Sequence, residues 1–344
     1  VQESLSGNGL SLGAESGMRN PGNRLQPSSR RHTVRIMIID VHAHCIPESF
    51  RSWMEAEGNP LGIDLVPTER GTAVRIDDRV TTQPLRDDLT DFDRRVAELD
   101  RMGLDHQVLS GWIDLTAYEL EPEAGSRYAR IQNESLAEEA ARAPDRFSAI
   151  GTVPLQDATR AVNELDHAMR GLGMKGVELA TTVDGRFIDE AGLDDFWAAA
   201  QDLGAFIVLH PMRPLEGIDL KRYFMENMIA RPAESTIALA GLIFSGVLER
   251  FPNLKLCVVH GGGFAPFQIG RMDSGYHQKP NLSAKHISKP PSDYLRQIYV
   301  DTVVHNHAAL RYVVDLMGGD HVLLGTDYPF EMGSLDPVEF VEAA

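Results

Sequence analysis

Ile38-Ile39-Asp40-Val41-His42-Ala43-His44 is a short β-branched, apolar run that ends in two histidines one residue apart. A strand points alternate side chains to the same face, so His42 and His44 project together from its C-terminal end. Two imidazoles side by side at the mouth of a buried strand make half of a divalent-metal site. The rest of the chain can then be searched for the other half.

Working outward, seven more short apolar runs recur after this one: Gln107 to Ser110, Phe147 to Pro154, Lys175 to Leu179, Phe206 to His210, Lys255 to His260, Ile298 to Thr302 and His321 to Gly325. Between them lie stretches of helical period, among them Asp91–Met102, Arg127–Ala143, Ala158–Arg170, Leu193–Leu203 and Ala233–Arg250. Strand–helix alternation implies parallel strands joined by right-handed crossovers. Eight such units predict an α/β fold, a TIM-like (β/α)8 barrel. A doubly wound sheet is the alternative that periodicity leaves open.

Composition narrows the function. The 344 residues are 43% hydrophobic and 24% charged, as in an ordinary globular protein with a sizeable core. A formal net charge of −17 argues against nucleic acid and against an anionic membrane surface as partners. No run reaches the roughly 18 apolar residues of a membrane-spanning helix. Two cysteines, Cys45 and Cys257, make no disulfide framework and fit a reducing, cytoplasmic setting.

Residues 1–36 are rich in Gly, Ser, Asn and Arg without an apolar period and are expected to be disordered; residues 37–344 are expected to form the barrel. An insertion over about 45–90 follows the first run, with hairpin strands near Ile63–Val66 and Ala73–Ile76, and a second excursion runs from Met212 to Pro232. Both would sit over the barrel mouth, where long loops shape pockets. The chain stops at Val341-Glu342-Ala343-Ala344 without a capping signal, which suggests a truncated last helix.

Barrel chemistry is done at the C-terminal ends of strands. Those ends supply His42 and His44, then His210, then His260 followed by three glycines, then Asp327 within Gly325-Thr326-Asp327-Tyr328-Pro329-Phe330. Alone, each strand-end histidine is more often structural. Together, His42, His44, His210 and Asp327 offer three imidazoles and one carboxylate to a zinc-like cation, with a position left for water or substrate. No lysine ends the fourth strand to bridge a second ion, so one metal per subunit is expected. His260 is then free to move protons. His305 and His307, beyond the seventh run, are read as structural or pocket-rim residues.

These motifs, with His210-Pro211, Gly270-Arg271, Arg231-Pro-Ala-Glu-Ser-Thr and Phe244-Ser-Gly-Val-Leu-Glu-Arg-Phe-Pro, resemble the amidohydrolase-related decarboxylases over about Ile38 to Leu335. The resemblance implies a barrel with a small insertion after its first strand and Zn2+ (or Mn2+ or another divalent ion) on His42, His44, His210 and Asp327. It implies His260 as the proton-transfer residue, and a homodimer in which Arg271 crosses the interface to bind substrate carboxylate. It also implies pocket roles for Phe330 and Tyr223. Trp112 and Glu178, near the ends of the second and fourth strands, are further pocket candidates read from position, with wall or core packing as the alternative. The His-x-His start favours the aminocarboxymuconate-semialdehyde branch over the ortho-hydroxybenzoate decarboxylases, which often begin Glu-x-His. Where that branch has a second substrate-binding arginine before a proline, this chain has Gln83-Pro84, with Arg79 and Arg86 nearby. The reaction implied is non-oxidative, metal-dependent decarboxylation of an aminocarboxymuconate-semialdehyde-like or aromatic carboxylic acid. Hydrolysis of an amide or lactone by the same centre is the alternative.

Overall fold

Eight short parallel strands form the frame of the computed structural model: β1 Ile39–Cys45, β2 His106–Gly111, β3 Phe147–Ala149, β4 Gly176–Ala180, β5 Phe206–His210, β6 Lys255–Val258, β7 Tyr299–Asp301 and β8 Val322–Leu323. The chain divides into two units, Val1–Ile36 and Met37–Ala344, and the structure describes residues 37–212, 220 and 222–344. The segment 1–36, expected to be disordered, lies outside the described residues, as do 213–219 and 221 within the second excursion.

The strands follow one another in space as in sequence. One ladder runs β1-β2-β3 and the other β4-β5-β6-β7-β8. A parallel bridge between Gly151 and Val177 joins the ladders on one side. On the other, Val41 N–H donates to the Leu324 carbonyl at 3.0 Å and Ala43 pairs with Tyr328. First strand thus meets last, which closes a (β/α)8 barrel and excludes the doubly wound sheet. Strands buried on both faces read as unbroken apolar runs. Phe206-Ile-Val-Leu pairs with Lys255-Leu-Cys-Val in register, and Ile207, Val208, Leu256 and Cys257 are buried. Cys45 and Cys257 are free and buried, small apolar fillers in effect.

The crossover helices include Phe92–Met102, Pro122–Ala141, Ala158–Asp166, Asp194–Leu203, Arg231–Phe244, Ala265–Gln278 and His307–Met317. Three open on a side-chain cap, in which the carboxylate or amide oxygen of Asp91, Asp157 or Asn306 accepts a backbone N–H three residues on. The stretch Ala233–Arg250, read as one helix, is two, because Gly246 turns left-handed between them. A Cβ at Gly246 would lie 2.4 Å from the His286 carbonyl oxygen, so only glycine fits that break. Between β1 and the Phe92–Met102 helix, the strands Ile63–Thr68, Gly71–Ile76 and Arg79–Val80 make a small antiparallel sheet preceded by the helix Glu48–Glu57. Among the described residues no helix is long and apolar enough to cross a membrane.

Candidate metal centre and cavity

At the C-terminal ends of the strands five ionisable side chains converge on one point. β1 delivers His42 and His44, β5 His210, the turn after β6 His260, and the loop after β8 Asp327. Neighbouring imidazole centroids lie 5.0–5.2 Å apart in edge-on arrangements. The Asp327 carboxylate sits among them: Oδ1 is 3.1 Å from His44 Nε2 and 3.5 Å from His42 Nε2, and Oδ2 is 3.5 Å from His260 Nε2. One ligand atom each of His42, His210, His260 and Asp327 can be chosen so that all lie within 4.8 Å of one another. That group includes His260, which the sequence reading keeps apart as a proton carrier, and leaves out His44.

The other ring nitrogens separate the histidines. His42 Nδ1 donates to Asp301 Oδ2 at 2.6 Å, His44 Nδ1 to the Gly111 carbonyl at 3.1 Å, and His210 Nδ1 to the Pro211 carbonyl at 2.8 Å. Each acceptor is an oxygen without a proton of its own, so in the neutral ring the proton sits on Nδ1 and the Nε2 lone pair is left for a cation. His42 Nε2 and His210 Nε2 are buried with no hydrogen-bond partner among the described residues. At His260 the anchor is missing, for its Nδ1 is buried and unpaired. His42, His44 and His210 thus have the ring orientation of metal ligands, whereas the His260 ring has no such anchor.

Electrostatics point the same way. Burial opposes charge on His42, but the Asp327 and Asp301 carboxylates outweigh it and hold its pKa up at about 9. Burial and the surrounding imidazoles push His210 well below its ordinary value. Burial would raise the Asp327 carboxyl, yet His42, His260 and His44 keep it well below the usual carboxylate range. An anionic carboxylate walled in by imidazoles wants positive charge at its centre, and three imidazole nitrogens with one carboxylate oxygen suit a divalent transition metal.

Several supports escaped the sequence reading. Asp301, at the end of β7, accepts from His42 Nδ1, from Gly261 N–H at 2.8 Å and from Val303 N–H at 3.2 Å. Its signal was an acidic residue closing a buried strand. Asp40 pairs with Gln107 while His44 pairs with Ser110, so a bulge between Asp40 and Ala43 places Asp40 on the face opposite His44. Asp40 accepts from Thr326 N–H at 3.0 Å, Thr326 Oγ1 at 2.6 Å and Gln107 Nε2 at 2.8 Å, and so ties β1 to the loop that carries Asp327. Arg95, 1% exposed, donates to Gln107 Oε1 at 3.0 Å and to the His44 carbonyl at 2.6 Å. His260, Gly261, Gly262 and Gly263 all adopt left-handed backbone, with φ of 56°, 61°, 77° and 64°. A Cβ on Gly261 would strike Val304 at 2.3 Å, and one on Gly263 the Pro232 carbonyl oxygen at 2.2 Å. The glycines let the chain turn sharply enough to aim His260 at Asp327.

A cavity of about 660 Å³ opens on this centre; His210, His260 and Asp327 form part of its wall. Trp112 and Phe330 line it, with ring centroids 6.1 Å apart, and the Phe330 ring lies 5.4 Å from that of His44. Gln83 lines it from the insertion. His305 is on the wall, whereas the His307 ring packs on Phe340 at 4.8 Å. Two pocket expectations need correction. Tyr223 has a φ of 58° that turns its side chain outward, 81% exposed, and Phe224 takes the place on the wall. Glu178 is not on the wall; it is buried beside His44 Nδ1, at 3.8 Å, with burial raising its pKa. Arg271 lies exposed on the Ala265–Gln278 helix and is not part of its own chain's cavity wall. Arg79 is engaged by Glu119 and by the Asp114 and Thr116 carbonyls, and Arg86 by Asp88, Glu331 and the Pro329 carbonyl.

Comparison with known proteins bears on this geometry. The family described as amidohydrolase matches residues 39–344. A 2-amino-3-carboxymuconate-6-semialdehyde decarboxylase of Dictyostelium discoideum is 32% identical over 90% of this chain and 86% of its own. The crystal structure of 5-carboxyvanillate decarboxylase from Sphingomonas paucimobilis superposes with a TM-score of 0.76 at 25% identity, covering 90% of this chain and 93% of its own. That of a dihydroxybenzoic acid decarboxylase from Polaromonas sp. JS666, which holds manganese and the inhibitor 2-nitroresorcinol, gives 0.69 at 24% identity over 89% and 90%. The match of nearly the whole barrel, with the degree of identity to a curated relative, means that the chain belongs to the amidohydrolase family.

Proposed function

We propose that this chain is a divalent-metal-dependent, non-oxidative decarboxylase of an aminocarboxymuconate-semialdehyde-like or aromatic carboxylic acid. Carboxy-lyase activity agrees with the decarboxylases it resembles. The observation that carries the reading is the split among the histidines: His42, His44 and His210 have Nδ1 anchored on an oxygen, whereas His260, whose Nε2 faces Asp327 at 3.5 Å, has Nδ1 unanchored.

In this reading His42, His44, His210 and Asp327 hold one ion, zinc by preference because imidazole donors dominate the set. When bound, the cation supplies positive charge that stabilises negative charge developing on the substrate. Trp112 and Phe330 form one aromatic wall against which the planar body of the substrate lies, and they exclude water. The bond to the carboxylate carbon breaks, its electron pair stays on the substrate, and carbon dioxide leaves. His260 then delivers a proton from Nε2 to the substrate carbon that bore the carboxylate and now holds the electron pair. A homodimer belongs to the proposal. Arg271 faces outward on a helix that also carries Phe267, 77% exposed, and this suits an arginine that reaches the cavity of a second copy.

The test is a substrate panel on metal-loaded protein, comprising aminocarboxymuconate semialdehyde, hydroxybenzoic acids and simple amides and lactones. Carbon dioxide release from an acid is the expected result. Hydrolysis of the amides or lactones with no carbon dioxide from any acid would reject decarboxylation.

A further inference from the structure

The cavity needs a group that recognises an acid, and among the described residues its wall holds one arginine and no lysine. That arginine is Arg231, the first residue of the Arg231–Phe244 helix, with 19% of its side chain exposed. Its Nη1 donates at 2.6 Å to the Pro211 carbonyl, the same oxygen that accepts from His210 Nδ1. The guanidinium therefore stands one peptide carbonyl away from an imidazole of the metal centre. Its other contact is long: Nη2 is 3.5 Å from Asp114 Oδ1, while Asp114 Oδ2 accepts both the N–H, at 2.9 Å, and the hydroxyl of Thr82. Of its five N–H donors, Nε and one hydrogen on each terminal nitrogen have no acceptor among the described residues.

We propose that Arg231 is a substrate-binding residue, which receives an anionic group of the substrate from within the same chain, beside the metal centre. This rests on the reading of the cavity as the site of an acid-consuming enzyme. A planar guanidinium with free donors matches a carboxylate edge to edge, which neutral Gln83 on the same wall cannot do. The substrate class is then a planar acid whose carboxylate lies at Arg231, with its body against the aromatic wall that Trp112 and Phe330 form. A purely structural Arg231 would only brace Pro211 and offset Asp114.

The test is calorimetric titration of the metal-loaded full chain with benzoate and with benzamide, its neutral counterpart. The unaltered protein should bind benzoate more tightly than benzamide. Arg231→Met should lose about ten-fold or more in benzoate affinity, leave benzamide affinity unchanged and keep its metal, and Arg231→Lys should recover part of the loss. Unchanged benzoate binding in Arg231→Met, an equal loss for both probes, or no discrimination by the unaltered protein would overturn the proposal. If Asp114, left without its cation, keeps Arg231→Met from folding, the pair Asp114→Asn and Asp114→Asn/Arg231→Met replaces it. Benzoate affinity should then fall between the two, and equal affinity would overturn the proposal. Failure of the decarboxylase reading shows separately, as absence of carbon dioxide from the substrate panel with Arg231-dependent benzoate binding intact.

Discussion

The cavity has two unlike walls. On the metal side every donor comes from, or directly follows, a barrel strand, and each proposed ligand imidazole is held by a second oxygen. On the substrate side the wall is made by Thr82 and Gln83 of the insertion, Phe224 of the β5 excursion and Arg231 behind it. The contrast teaches where rigidity is placed. Strands and anchored rings hold a ligand set to tight tolerance, whereas loops vary what is admitted.

Altering the two walls should have different signatures. The largest effect is expected for His260→Ala, which should keep its metal and lose about 10²–10⁴-fold in turnover, the range for a general acid or base. Metal content beside kcat decides this, and loss of metal in His260→Ala would move His260 into the ligand set in place of His44. Next is Asp301→Asn, which removes the carboxylate behind His42. Metal affinity should drop by about 10–100-fold, as for other groups that orient a ligand, read by competition with a chelator. A smaller, graded effect is expected with pH. In the metal-free protein His42 is held protonated up to about 9 by Asp327 and Asp301. Binding must expel that proton, so metal affinity should rise with pH until about 9 and then level off. The same group has its folded-state pKa above its ordinary 6.5. Its contribution to metal-free stability is therefore full below 6.5 and lost as pH rises through 9, measurable as a falling Tm over that window. The smallest effect should come from Tyr223→Ala, whose exposed side chain leaves KM and kcat unchanged; a raised KM would return Tyr223 to the pocket.

Much of this was legible in the chain itself. The eight apolar runs became eight strands, and Ile38–His44 already showed two of the five side chains that converge at the barrel mouth, because side-chain alternation is local and needs no partner to be read. What escaped depended on distance. Asp301 meets His42 across 259 residues of sequence, and Arg231 meets Asp114 across 117. Tyr223 and Phe224 were exchanged where two consecutive left-handed residues, with φ of 58° and 61°, turn the chain. Glu178 ends up beside His44 instead of on the cavity wall because the side chain of β4 that it occupies points into the packed centre of the barrel mouth.

The sequence by itself determined the strand–helix alternation, the donor types at the strand ends and the family, since each is written in local period and motif. The tertiary structure decided that the barrel closes, through Val41–Leu324 and Ala43–Tyr328. It also decided which imidazoles are anchored and which is left free, and that Arg231 stands beside the metal centre. The physical reason is the same in each case. Hydrogen bonds between residues far apart in the chain exist only once folding has brought the strand ends to a common rim.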